Sequence, residues 1–201
     1  MQINKLWIAL GVVVLLVLVV GGSCAHTYNK LNTLDQGVKA QWANVESAYQ
    51  HRSDEISRMV EIVKGAANFE KSTYIAVTEA RNQATQVKVS ADDLSDPAKM
   101  KAFEAAQANV GAALSKLLVV AEAYPNLTAT QNFRDLQVDL SGLENRINVE
   151  RSRFNEEARG FNTYRNSFPT TFMAGFFGGR FAEKAYFTAD AGAAHAPEIK
   201  F

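Results

Sequence analysis

Glu144, Asn145 and Arg146 stand between Leu143 and Ile147, so an acid, an amide and a base flank an apolar helical stripe. A carboxylate there can meet Arg81 or Arg134 from a facing helix. Such a pair would fix helix register more than it would add stability, because desolvation offsets most of the attraction. Acid–base catalysis asks for a nucleophile or a suitably spaced second carboxylate, and this motif supplies neither. Asn132, Asn145, Asn155 and Asn162 recur along the same segment, although asparagine is a mediocre helix former. Asn155 and Asn162 are seven apart and share a face beside Phe154 and Phe161. They suit cross-helix or helix-end hydrogen bonds, or alternatively a polar recognition stripe. Arg81, Glu144, Asn145, Arg146, Asn155 and Asn162 therefore form the expected structural polar network. Trp42 and Tyr49, also seven apart, read as core anchors.

Other chemistries find no assembled residues. His26, His51 and His195 are far apart and lack the HExxH spacing, and no Glu-x-x-His pair suggests a di-metal bundle. Gly178-Gly179 lacks the Lys-Ser/Thr and the glycine spacing of a phosphate loop. Cys24 is the single cysteine, which rules out an intrachain disulfide. Lys+Arg and Asp+Glu both total 21, so there is no basic excess to collect phosphates, and nucleic acid is not an expected partner. The most basic stretch, Arg146 to Arg153, includes Glu150 and reads as a solvated helix face. No catalytic residue, cofactor, metal or small-molecule substrate is expected.

The elements that would position these residues are helical. Leu6 to Gly22 carries no charge and is just long enough to cross a hydrocarbon core of ~30 Å, making residues 6–22 the contact with membrane lipid. Lys5 ahead of that run favours a single pass with the N-terminus inside and the body exported. Gly21-Gly22-Ser23-Cys24 also admits a cleaved, lipidated cysteine at Cys24, although Gly21 stands where such signals carry an aliphatic residue. Beyond it, Leu31, Leu34, Val38, Trp42, Val45 and Tyr49 fall on one helical face. The rhythm resumes at Ile56, Val60, Val63 and Ala67. The polar run Gln50 to Glu55, with Ser53 or Asp54 as cap, is the preferred reversal, and Gly65 is the other candidate break. One kinked helix over 31–87 stays open beside two.

Asp96-Pro97 reads as an N-cap followed by proline at the first helical position. Tyr124-Pro125 ends that helix. A last long helix runs from about Thr130 to Ser167 on Phe133, Leu136, Leu140, Leu143, Ile147, Phe154, Ala158 and Phe161, with Glu150 and Arg151 interrupting the stripe. The fold class is all-α: an elongated antiparallel up-and-down four-helix bundle preceded by a transmembrane helix. Residues 1–24 are the anchor, 27–168 the bundle and 169–201 an aromatic-rich strap. Phe172, Phe176, Phe177 and Phe181 in that tail either dock across one end of the bundle or offer a surface to a partner or membrane.

Several stretches together resemble the LemA family: Tyr28-Asn29-Lys30-Leu31, Val63 to Lys71, Thr78-Glu79-Ala80-Arg81, Val120 to Leu127, Glu144-Asn145-Arg146-Ile147 and Phe161-Asn162-Thr163-Tyr164. In the tail, Phe168-Pro169, Tyr186-Phe187 and Ala196-Pro197 extend the likeness. The resemblance covers about residues 27–201 and implies a bacterial envelope protein with an N-terminal membrane segment and a helical-bundle domain. It carries over no catalytic or cofactor residue. Where that family often has a proline, this chain reads Asp54-Glu55-Ile56-Ser57-Arg58. The expected function is a membrane-tethered, non-enzymatic interaction or scaffold protein with an unknown envelope protein as partner. The alternatives are a lipid-contacting membrane-remodelling protein and an enzyme subunit with an interhelical site.

Overall fold

A computed structural model describes residues 5–66 and 69–188. His195, Ala67, the motif Ala196-Pro197 and the strap beyond residue 188 lie outside the described residues.

The N-terminal apolar run and the first amphipathic stripe form one helix, α1, Lys5–Gly65. Its 61 residues make a rod of about 90 Å. From Trp7 to Ser23 no described side chain is buried, and packing starts with Cys24, half-buried, and Thr27. The stretch opening at Trp7 is long and apolar enough to cross a membrane, and it is the chain's membrane contact.

The expected reversal at 50–55 does not occur; α1 runs through it and stops at Gly65, the other candidate. The polar run is satisfied on a helix surface instead. Gln50 donates to Asp54 (2.9 Å), Arg58 to Glu55 (2.8 Å) and the Ser57 hydroxyl to the Ser53 carbonyl (2.8 Å). With no proline or glycine between Tyr49 and Lys64, nothing there breaks the backbone ladder.

After Gly65 come α2 (Lys71–Gln86), an extended link with one 3-10 turn at Asp93–Ser95, and α3 (Pro97–Ala121). Asp96 caps α3 by accepting from the Ala98 and Lys99 amides (2.9 and 3.2 Å), with Pro97 behind it as the sequence predicts. A short α4 (Pro125–Thr128) then leads into α5 (Gln131–Asn166), capped by Thr130. Then come α6 (Thr170–Phe176), a 3-10 turn at Gly178–Phe181 and an extended strap to residue 188. The molecule is an all-helical, multi-helix bundle with one apolar N-terminal helix.

α1 packs along α5, and α2 along α3. The pairings Gln41–Glu150 and Arg52–Glu144 show that α1 and α5 run in opposite directions. The core has two parts. Trp42, Phe154, Phe161 and Phe181 dominate the membrane-proximal part, and Ile56, Met59, Leu117 and Phe133 the distal part. Each fully buried side chain of this size contributes about 1.5–3 kcal/mol.

Candidate functional site

Between the two core clusters lies a polar layer built on Arg52, a residue of the stretch that reads as a turn. Because α1 continues, Arg52 is carried inward, and its side chain is 6% exposed. Its guanidinium donates to Glu144 Oε1 (2.8 Å) and to the side chain of Gln107, and stacks 5.0 Å from the Tyr49 ring centroid. One side chain thus joins α1, α3 and α5. Glu144 therefore does not meet Arg81 or Arg134: Arg81 donates to Ser57 and Arg134 to Gln131. Asn145 and Arg146 are exposed, leaving them outside any buried network.

Glu150 is buried, contrary to its expected place on a solvated face. It accepts from Gln41 (2.7 Å) and Arg153 (3.2 Å), so a polar position of the stripe is filled by a bonded carboxylate. Burial also pushes the Tyr49 hydroxyl above its ordinary range, against the pull of Arg151 and Arg52 beside it. A groove of about 490 Å³ along α3 and α5 is lined by Arg52, Glu104, Gln107, Glu144 and Arg151. Each of its two carboxylates is engaged by an arginine, Glu144 by Arg52 and Glu104 by Arg151. The arrangement can lock helices together. No group of three His, Cys, Asp or Glu suited to a metal occurs among the described residues.

Asn155 and Asn162 bind the strap rather than a neighbouring helix. Asn162 donates to the Lys184 carbonyl (2.9 Å) and accepts from its amide (2.8 Å); Asn155 does the same for Phe187 (3.0 and 2.8 Å). Each carboxamide therefore serves as a strand partner for one strap residue. The register follows from rise per residue: seven residues of helix span about 10.5 Å, and three of extended chain roughly 10 Å. The other side of the strap is held by the Leu94 carbonyl, which accepts from Ala185 (2.8 Å), and by Glu104, which accepts from the Thr188 amide (2.8 Å).

Lys184 escapes sequence reasoning altogether. Its ammonium lies 2.7 Å from Asp35 Oδ1, with side-chain exposures of 5% and 8%, and 5.0 Å from the Phe161 ring centroid. Lys39 also reaches Asp35 (3.2 Å). A lysine in an aromatic tail gives no signal of a partner 149 positions earlier. Asp35, an acid beside the stripe residue Leu34, is the only hint in the sequence.

The four tail phenylalanines separate into two kinds. Phe181 is buried and packs edge-on against Tyr28 (5.4 Å between centroids), so it belongs to the core and not to a surface. Phe177 is half-buried on the same tyrosine (5.1 Å). Phe172 and Phe176 are open to solvent, with Phe168 beside them. Cys24 is half-buried within the continuous helix α1, and His26 and His51 are exposed.

A model of the LemA family matches residues 41–201. Among curated proteins, the chain is similar to the magnetosome protein MamQ of Magnetospirillum gryphiswaldense, at 23% identity over 163 residues covering 73% of this chain and 60% of that protein. It is similar also to MamQ 1 and MamQ 2 of Paramagnetospirillum magneticum, at 23% identity over 172 residues covering 78% of this chain and 63% of each. The chain thus spans about three-fifths of the length of these relatives.

Proposed function

The chain belongs to the LemA family, and on that premise we propose that it is a membrane-tethered scaffold of the bacterial cell envelope, presenting a helical body to protein partners. The observation that carries this reading is the continuity of α1, which makes the membrane span and the first bundle helix one element. A rod without a joint fixes both the direction and the height of whatever packs on it. In this reading the anchor lies within residues 1–24, α1, α2, α3 and α5 form an antiparallel four-helix body within 27–168, and the described part of 169–201, to residue 188, straps its membrane-proximal end. Lys5 ahead of the apolar run supports an N-terminus inside and a body in the periplasm or outside the cell. The helical path through Cys24 supports an uncleaved anchor over lipidation, and the intact mass of protein taken from membranes distinguishes the two. The relatives are named for an assembly, the magnetosome, which supports a part in organising other components.

The decisive experiment exchanges residues 5–23 for an unrelated spanning helix of equal length and compares cross-linked partners captured from intact membranes. A scaffold keeps its partners through the exchange and loses them when the body is removed. Partners that follow the membrane helix instead would overturn the reading.

A further inference from the structure

We propose that α6 rests in the headgroup region of the same bilayer that α1 crosses, with Phe168, Phe172 and Phe176 inserted as a second, monotopic attachment. The three rings are spaced four residues apart and are 81%, 67% and 87% exposed. Phe168 and Phe172 lie edge-on at 6.1 Å between centroids. The opposite face of α6 buries Thr170 and Ala174 against the bundle. A seven-residue helix that hides a threonine and an alanine while showing its phenylalanines has its apolar side turned away from the protein core.

What that side meets is set by height along α1. The uncharged run ends at Gly22, and Tyr28, six residues on, lies about 9 Å further along the rod. The headgroup layer is roughly 5–8 Å thick on each side. Tyr28 holds the end of the tail, packing against Phe177 and Phe181. α5 runs back toward this level, facing α1 at Arg52–Glu144 and again at Gly37–Glu157, and the 3-10 turn that follows α6 meets α1 at Asn32 through Arg180. Tyr28 and the tail it holds therefore stand at the outer edge of the headgroup layer, within a side chain's reach of the interface where aromatic rings partition favourably. Lys30 and Arg180 are exposed at this height, and Arg180 stands 5.3 Å from the Tyr28 ring centroid, so cationic groups face the level of lipid phosphates. Trp7 marks the opposite interface of the span. A bilayer is the occupant continuous with the anchor already in place.

The test uses the full chain in phosphatidylcholine–phosphatidylglycerol vesicles whose acyl chains are brominated near the headgroup. In a Trp7→Phe background, Trp42 is buried and serves as a constant reference. Phe172→Trp is expected to lose most of its added emission to the brominated lipid, whereas Val138→Trp, exposed on the distal half of α5, keeps its emission. A residue-172 tryptophan as bright as that at 138 overturns the proposal. So does one that is shifted to the blue yet unquenched, which marks a protein partner on the rings. A second measurement does not depend on tryptophan packing. A nitroxide on Phe176→Cys, in a Cys24→Ser chain, is expected to be more accessible to oxygen than to a water-soluble nickel chelate, and the reverse order overturns the proposal.

Discussion

Asn162 makes three hydrogen bonds with one side chain, two to the backbone of the buried strap residue Lys184 and one to the Tyr186 hydroxyl. Truncation to alanine removes all three and leaves the Lys184 amide and carbonyl without this partner. Asn162→Ala is therefore expected to cost roughly 2–4 kcal/mol, read from urea unfolding, and to expose residues 182–188 to hydrogen exchange. Asn162→Asp keeps the acceptor but sets a second acceptor against the Lys184 carbonyl at a buried site, so it is expected to cost at least as much. Arg52 poses the converse problem, since its side chain is 6% exposed while that of Glu144 is 43% exposed. Removing the glutamate leaves a buried cation with Gln107 and the Tyr49 ring but no counter-charge, and Glu144→Leu is expected to destabilise by about 1–3 kcal/mol, below the range for fully buried pairs because water reaches this site. Adding Arg52→Met removes the stranded charge, so the double variant is expected to recover most of that loss; a double-mutant cycle without coupling contradicts the assignment. The sequence reveals the seven-residue spacing of Asn155 and Asn162 but not their target, because an extended strap leaves no periodicity to match. Arg52 is hidden for a different reason: its inward direction exists only if the helix continues past residue 50.

That continuation also sets how the helices pair. Capping residues at 53 and 54, acidic neighbours and a run of six polar side chains all resemble a helix start. The same residues are equally at home on an exposed helix surface, where they bond to one another three and four positions apart. Length decides between the two readings. Residues 31–65 span about 52 Å and the 36 residues of α5 about 54 Å, so α5 covers the whole stripe once the break falls at Gly65. The boundaries at Asp96-Pro97, Tyr124-Pro125 and Thr130 are legible because proline and capping residues act through local backbone geometry. A break at glycine followed by two alanines is not, since glycine permits a break without imposing one. Ser53→Pro separates the cases. Within α1 it removes a ladder hydrogen bond and is expected to cost about 3 kcal/mol or more, measured by thermal unfolding in detergent. A chain that reversed at 50–55 would absorb it with little change.

For the whole molecule, the consequence is mechanical. A span of about 20 residues and a body of about 40 share one helix, and strap residues 182–188 fasten back onto the base of that rod. Asp35 and Lys184 form the fastening: a buried pair linking α1 just beyond the membrane to residues near the end of the described chain. The membrane-proximal end is thus closed by chain segments far apart in sequence, while the distal end is closed by local turns. If position and direction are what the body provides, flexibility at its base should be more damaging than a change in the span itself. Inserting six Gly/Ser residues between Ala25 and His26 breaks helical continuity without touching the packed residues from Thr27 onward. The isolated unfolding transition of the body is expected to remain unchanged. Fluorescence energy transfer from a donor at the distal end, placed at Val119→Cys in a Cys24→Ser chain, to acceptor lipids is expected to rise and broaden as the body tilts toward the bilayer. Unaltered transfer would mean that contacts at the membrane surface, and not the rod, hold the body upright.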